Sequence, residues 1–291
     1  MVKVLRFVGD HLDEELPLHR LAAVAGFSPY HFHRQFRAFT GMTVTRFVSL
    51  LRLKRASYQL AFELDQQIIA IAYEAGFANP ESFSRAFKHT VGQSPSDFRR
   101  DPGWEQWRQK LQMTTQQVLA SGFFADGQSN WKGQTVMKVN IIDFKAIPVA
   151  VLEHHGSPST LMASVARFIE WRKSCDDSPV ASCRTFGVAY NDPDQVVSDD
   201  FHFDVCGELA KPLSPNDYGV VSKVIPGGRC AVVRHRGSTD VLGITVHALY
   251  RDWVPVSGEE LRDFPCFFHY IDRLPQVSEQ EQITDVYLPI K

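Results

Sequence analysis

The chain has 291 residues, of which 44% are hydrophobic and 22% charged, and its net charge is −2. Those values suggest a soluble globular protein of about two domains, and with no apolar run of about 18 residues a membrane-spanning helix is not expected. Lys and Arg exceed Asp and Glu by four within residues 1–100, whereas the remainder carries an acidic excess of six; a basic front and an acidic back suit a nucleic-acid reader joined to a part that is not one.

The N-terminus, Met1-Val2-Lys3-Val4-Leu5-Arg6-Phe7, does not read as a signal peptide, because charges interrupt its apolar residues. Val4, Phe7, Val8 and Leu12 fall at helical spacing and predict an amphipathic helix over 3–15. Pro17 opens a second helix that runs to Ala25 and is ended by Gly26. Ser28-Pro29 starts a third: Ser28 can cap its free amides, and Pro29 suits the first helical position. On that helix Phe32, Phe36 and Phe39 form one inward stripe; Tyr30, Arg34 and Arg37 point away from it, with His31 and His33 on its flanks. Thr43 to Leu64 reads as one long helix with Phe47, Leu51, Leu60 and Leu64 as apolar contacts.

The front of the chain then repeats itself. Leu21-Ala22…Ala25-Gly26-Phe27…Phe32-x-Arg34-x-Phe36…Gly41…Phe47 is followed by Ile71-Ala72…Ala75-Gly76-Phe77…Phe83-x-Arg85-x-Phe87…Gly92…Phe98. A duplication at this period means two copies of one supersecondary unit, here helix, Gly-containing turn, helix, the outline of a helix-turn-helix. In the second copy Phe83 and Phe87 point inward, Glu81, Arg85 and Lys88 point out with Ser84 beside them, and Asn79 caps a helix that has Pro80 at its first position. The connecting helix, at about 1.5 Å per residue, spans roughly 30 Å, close to one turn of B-DNA, about 34 Å. It could therefore set two recognition helices into successive major grooves of one DNA face.

Arg100-Asp101-Pro102-Gly103 closes this part, Trp104 to Leu119 reads as one more helix, and the Gly-rich polar stretch Ser121 to Gln134 as a linker. From about Met137 short β-rich runs appear, and a second duplication: Ala150-Val151-Leu152-Glu153-His154-His155-Gly156-Ser157 matches Ala231-Val232-Val233-Arg234-His235-Arg236-Gly237-Ser238, and Phe203-Asp204-Val205 matches Thr284-Asp285-Val286, both at an offset of 81. Two strand-helix-strand-strand units are inferred, pairing into an α+β domain with a pseudo-two-fold axis and a cleft between its halves. The expected division is 1–103, 104–136 and 137–291. The five cysteines (Cys175, Cys183, Cys206, Cys230 and Cys266) form no C-x-x-C and read as reduced, mostly buried thiols of a cytoplasmic protein. His154 and His155 are neighbours on a strand and point to opposite faces, so they do not suggest a metal site. No metal, cofactor or catalytic triad is expected.

The front pattern resembles the AraC-type transcription regulators over nearly all of residues 1–100: Ala-x-x-x-Gly-Phe, then Phe-x-Arg-x-Phe-Lys, then Gly92-Gln93-Ser94-Pro95-Ser96-Asp97-Phe98-Arg99 is close to that family's second half. The resemblance implies sequence-specific binding of double-stranded DNA, with base-reading positions falling on Tyr30, His33 and Arg34, and on Glu81, Ser84 and Arg85 with Asn79 and Pro80 at the helix start. Arg37, Lys88, Arg99 and Arg100 are candidates for phosphate contact, or else ordinary surface charges. RNA polymerase is a further candidate partner, and a tandem reader leaves monomer and homodimer both open.

The back half resembles the GyrI-like effector domains, through Gly187-Val188-Ala189-Tyr190-Asn191-Asp192-Pro193, Pro226-Gly227-Gly228-Arg229-Cys230-Ala231, Trp253-Val254-Pro255-Val256-Ser257-Gly258 and the ending Pro265-Cys266-Phe267-Phe268-His269-Tyr270…Asp285-Val286-Tyr287-Leu288-Pro289-Ile290. The resemblance implies a small-molecule effector bound in a cleft between repeats. Trp171, Tyr190, Trp253, Phe268 and Tyr270 are the candidate lining, since such sites are mostly apolar and aromatic; the plain alternative is that about half of them are core. That family usually carries a Glu where this chain has Phe268, and a buried carboxylate is what offsets desolvation of a cationic ligand. The expected effector is therefore neutral or weakly polar and aromatic. Two rival readings make the back domain a hydrolase of a small hydrophobic electrophile, which needs Glu153, Glu170 or Glu208 to point inward, or a module that binds a partner protein.

Overall fold

The computed structural model describes residues 1–112, 138–193, 200–272, 277 and 281–291, the side chains of Val2, Tyr30 and Gln112 excepted. The described chain forms two compact units, one helical and one built on a sheet.

The helical unit contains α1 (Val2–Asp10), α2 (Leu18–Ala25), α3 (Pro29–Thr40), α4 (Val44–Phe62), α5 (Ile68–Glu74), α6 (Pro80–Val91), α7 (Pro95–Arg100) and α8 (Trp104–Trp107), the last continuing as a wider π turn over Arg108–Gln112. The starts are written in the sequence. Ser28, Thr43, Asn79 and Ser94 each accept a backbone N–H from the first turn of the helix they precede, and Pro29, Pro80 and Pro95 occupy first helical positions, where no amide is missed. The Asn79 cap, with Oδ1 2.8 Å from the Ser82 amide, is expected to hold about 1 kcal/mol; urea unfolding of Asn79→Ala should give a loss of that size, and Asn79→Ser should recover most of it.

α1 is shorter than the helix expected over 3–15. Its end is drawn off by other partners: the His11 ring takes up the Phe7 carbonyl at 2.7 Å and stacks on the Phe7 ring, and the Leu12 and Glu14 carbonyls accept from the Arg52 guanidinium of α4. α4 has 19 residues, about 28 Å at 1.5 Å each, and its ends lie one and two residues inside the expected 43–64. Leu64, expected as an apolar contact, is 56% exposed because the helix ends at Phe62, before it. The inward stripes are as read: Phe32, Phe36, Phe47, Phe83 and Phe87 have no exposed surface, and Phe39 is half-buried. In the second copy an unbroken chain of rings runs Phe77–Phe83–Phe87–Phe98–Trp104–Trp107, each centroid 5.3–5.6 Å from the next. The helix expected to run to Leu119 and the linker over 121–134 fall, beyond Gln112, outside the described residues.

The sheet unit holds β1 (Asn140–Phe144), β2 (Ile147–His155), α9 (Leu161–Ser174), β3 (Thr185–Ala189), β4 (His202–Glu208), β5 (Val221–Ile225), β6 (Gly228–Arg236), α10 (Leu242–Ala248), α11 (Val254–Ser257), β7 (Cys266–Asp272) and β8 (Ile283–Pro289). All pairings are antiparallel in one eight-stranded sheet of order β1-β6-β8-β7-β3-β4-β2-β5. The strand-helix-strand-strand units are present, and each is preceded by one further strand, β1 or β5. Adding 81 to β1–β4 gives the starting residues of β5–β8, and the same operation reverses the sheet order, so the pseudo-two-fold axis passes between β3 and β7. The leading strands are exchanged: β1 of the first repeat pairs with β6 of the second, and β5 of the second pairs with β2 of the first.

Strand alternation divides the core between the two faces. Ala150, Leu152, Phe203, Val205, Ala231, Val233 and Phe268 pack with Phe168, Trp171 and Leu249. Val149, Val151, Phe186, Val188, Cys206, Cys230, Val232, Phe267 and Tyr287 form the cluster on the other face. Each repeat ties its helix to its strand through one buried imidazole: His154 Nδ1 lies 2.8 Å from Ser164 Oγ, and His235 Nδ1, 81 residues on, lies 2.8 Å from Thr245 Oγ1.

Candidate functional site

α3 and α6 present the same design. Their phenylalanines are consumed by the core, so the residues about 100° away are left outside. On α3, His31, His33, Arg34 and Arg37 are exposed, and on α6 so are Glu81, Arg85, Lys88 and His89, with Ser84 half-buried beside Arg85. Tyr30 is placed by its backbone at the start of α3, but its side chain is outside the described ones. Asn79 is exposed, yet its carbonyl oxygen is already used in capping α6, which leaves its amide N–H groups as donors for a base edge.

The four candidate phosphate contacts differ. Arg37 and Lys88 are exposed on their helices. Arg100 is 79% exposed and lies 2.8 Å from Asp97. Arg99 is half-buried, and its Nε and Nη2 are enclosed with no hydrogen-bond partner among the described residues; burial also lowers its pKa. As it stands, Arg99 cannot offer those nitrogens to a phosphate without moving.

The five candidate effector residues do not form one group. Trp171, 1% exposed, stacks on Phe168 at 5.3 Å inside the helix-side core, where Phe268 is also buried. Trp253 and Tyr270 are half-buried and pack against the same cluster. Phe268 lies opposite Gly187 where the pseudo-axis crosses the β3–β7 pair. Gly187 is needed there: a Cβ would sit 2.5 Å from the Phe203 ring and 3.0 Å from the Tyr270 hydroxyl. Burial raises the pKa of that hydroxyl.

Tyr190 lies elsewhere. It continues the alternation of Phe186 and Val188 and so belongs to the other face of the sheet. Its ring stacks on His202 at 3.8 Å, and His202 stacks on His155 at 4.1 Å. The Tyr190 hydroxyl donates to Asp204 Oδ2 at 3.0 Å, and Lys223 Nζ bridges Asp204 at 2.8 Å and Glu153 at 2.5 Å. Burial and the Asp204 carboxylate push the Tyr190 hydroxyl up to about 12. Burial works to lower the Lys223 pKa, but hydrogen bonds to Asp204 and Glu153 outweigh it and raise the pKa overall. This polar patch carried no motif; the signal that could have found it is the parity of Glu153, His155, His202 and Asp204 along β2 and β4.

The three glutamates a hydrolase would need are committed elsewhere or exposed. Glu153 pairs with Lys223 on the Tyr190 face, Glu208 receives both Nε and Nη2 of Arg184, and Glu170 is exposed on α9. His154 and His155 point to opposite faces as expected, one buried and one exposed. Among the described residues no group of three or more His, Cys, Asp or Glu is arranged to hold a metal ion, and no helix is long and apolar enough to cross a membrane.

The sheet unit should weaken in acid. Burial lowers the pKa of His154, His202 and His269, so the folded chain resists protons that the unfolded chain accepts near pH 6.5. Stability is then unaffected above about pH 6.5 and falls as pH drops through the folded values. Glu153 and Glu208, held low by their hydrogen bonds to Lys223 and Arg184, add a further loss below about pH 4.5. Thermal melts should show a lower Tm at pH 5.5 than at pH 7.5; equal values would show that burial does not hold these imidazoles neutral.

Residues 137–291 match the family model of the GyrI-like small molecule binding domain, and residues 21–101 match that of a helix-turn-helix domain. The chain is 47% identical over 154 residues to the probable transcriptional regulator YgiV of Escherichia coli strain K12, covering 53% of this chain and 96% of that protein. It is 34% identical over 101 residues to the right origin-binding protein of the same strain, covering 35% of each. Among solved structures it is similar to the cryo-EM structure of the EcmrR–DNA complex in EcmrR-RPo, with a TM-score of 0.47 and 14% identity over 93% of this chain and 84% of that one.

Proposed function

The chain belongs to the GyrI-like small-molecule-binding family, joined to an AraC-type helix-turn-helix part, and from that premise we propose how its two parts divide the work of a DNA-binding transcription regulator. Residues 1–103 read DNA through α3 and α6, with Trp104 and Trp107 packed into the same core; the rest of 104–136 connects, and 137–291 bind the effector. The observation that carries the DNA half is the repeated one: Arg34 and Arg85 occupy equivalent exposed positions on two helices whose Phe32/Phe36 and Phe83/Phe87 pairs are fully buried. Arg at such a place suits a bidentate contact to guanine. The remaining exposed bases, Arg37, Lys88 and Arg100, suit phosphate contact. Binding to a duplex selected by the protein from a random pool should therefore weaken steeply with salt, the slope on a log–log plot scaling with the number of phosphates neutralised. A flat salt profile would refute DNA reading by these helices.

The effector is neutral or weakly polar and aromatic. Phe268 supports this, because it puts a ring where a cation would require a carboxylate, and Glu153, Glu170 and Glu208 lie outside the aromatic cluster around it. Trp171, Trp253, Phe268 and Tyr270 are the proposed lining; Tyr190 belongs to the opposite face and is left out. Tryptophan fluorescence titration should give tighter binding for a neutral aryl compound than for a lipophilic cation of equal size, and the reverse order would overturn the assignment. The effector alters DNA binding only to the extent that it binds the two states unequally.

A further inference from the structure

Within the helical unit a cavity of about 210 Å³ opens beside α4, lined by Leu16, Leu21, Val44, Val48 and Phe77 with Thr45, Ser49, Arg52 and Gly76. Its walls come from both copies of the repeat: Leu21 from α2 of the first, and Gly76-Phe77 from the turn of the second. For scale, a dry cavity of about 150 Å³ holds benzene, so this one suits a ligand of one ring with a small substituent.

Arg52 gives the cavity its chemistry. Its guanidinium is fixed in advance, with Nε donating to the Leu12 carbonyl at 2.9 Å and Nη2 to the Glu14 carbonyl at 2.7 Å. It also lies flat over Gly76, where a Cβ would come within 2.5 Å of Arg52 Cζ and where φ is +71°. The left-handed φ is what favours glycine at position 76, and a side chain there would also push the Arg52 guanidinium aside. Those two bonds use two of the five guanidinium N–H groups. The nearby acids have other ion-pair partners, Asp13 with Arg55 at 2.5 Å and Glu14 with Arg20 at 2.7 Å, although the Asp13 charge also acts on Arg52. An oriented guanidinium beside an apolar chamber is the complement of a carboxylate carried on a small apolar body.

We propose that this cavity binds a small aryl or short branched monocarboxylate, a second ligand site distinct from the effector domain. The carboxylate meets Arg52 and the apolar body fills the space among Leu21, Val44, Val48 and Phe77. Because α4 follows α3 and the Gly76 turn precedes α6, an occupant joins the two halves of the reader and biases how α3 and α6 are held relative to each other.

The test is benzoate titrated into the ¹⁵N-labelled full chain without DNA, so that its outcome does not depend on the DNA reading. Saturable amide shifts are expected in residues 16–21, 44–52 and 76–77. Benzamide, of the same shape but uncharged, should bind about tenfold more weakly, as loss of a charged hydrogen-bonding partner implies. Thr45→Phe, at an exposed position of the cavity lining, should abolish the shifts while the urea midpoint stays near that of the parent protein, and Arg52→Met should remove the preference for benzoate. Equal binding of benzamide, shifts confined to residues 138–291, shifts that survive Thr45→Phe, or no saturable binding would each overturn the proposal.

Discussion

Replacing Arg34 and Arg85 together with alanine should cost the protein nearly all of its preference for its selected DNA site. Each bidentate contact to guanine is worth about 1–3 kcal/mol of discrimination, or roughly one to two decades in affinity per arginine. The two side chains sit on separate helices with separate cores, so their losses should add. Fluorescence anisotropy with the selected duplex and with a scrambled duplex distinguishes the mechanism. Affinity for the selected duplex should fall by two decades or more, while affinity for the scrambled one falls only slightly. Arg37→Ala and Lys88→Ala should instead weaken both duplexes alike and reduce the salt slope by about one each. A double arginine variant that loses both duplexes equally would make these side chains phosphate contacts, and the bases would have to be read by other residues.

Phe268→Glu should be among the most damaging single changes in the sheet unit. Phe268 is 6% exposed and stacks on the Phe203 ring at 6.3 Å. The substitution removes a packed ring, at about 3–5 kcal/mol, and leaves a carboxyl group among rings at the axis. Burial raises the pKa of such a group in the folded state, so the ionisation penalty is absent below about pH 4.3, the unfolded value, and grows as pH rises through the folded value. Urea unfolding should accordingly show a deficit against the parent protein that is larger at pH 8 than at pH 5. If the ring is what excludes cations from the parent site, a lipophilic cation should restore part of the loss in the variant at pH 8 and bind the parent weakly. A deficit independent of pH would mean that the new carboxylate reaches solvent, and then Phe268 does not exclude cations by burial.

What the sequence disclosed was local. Ser28, Thr43 and Asn79 announce helix starts because their short polar side chains do at a helix start what few others do, and a Pro directly after Ser28 and Asn79 removes the alternatives. The Phe32/Phe36 and Phe83/Phe87 pairs lie one turn apart, so the inward face and, by difference, the outward arginines could be read without coordinates. What the sequence withheld depends on partners far along the chain. The end of α1 is decided by Arg52, 40 residues beyond Leu12. The side of the sheet to which Tyr190 belongs is decided by strand parity and by Asp204, 14 residues on, and no motif encodes that. The sequence also hid the leading strand of each repeat, since β1 and β5 each pair with the opposite repeat rather than with their own.

That exchange of leading strands bears on ancestry. A single repeat made as a separate peptide would carry a β1-like strand with nothing of its own to pair with and a β2-like strand with one flank bare. Two such peptides would satisfy each other, giving a symmetric dimer with the same eight strands in the same order. Tandem fusion of that peptide would have turned an association limited by protein concentration into an intramolecular one. The two copies were then free to diverge, and they now place glycine in one and phenylalanine in the other at the point where they meet.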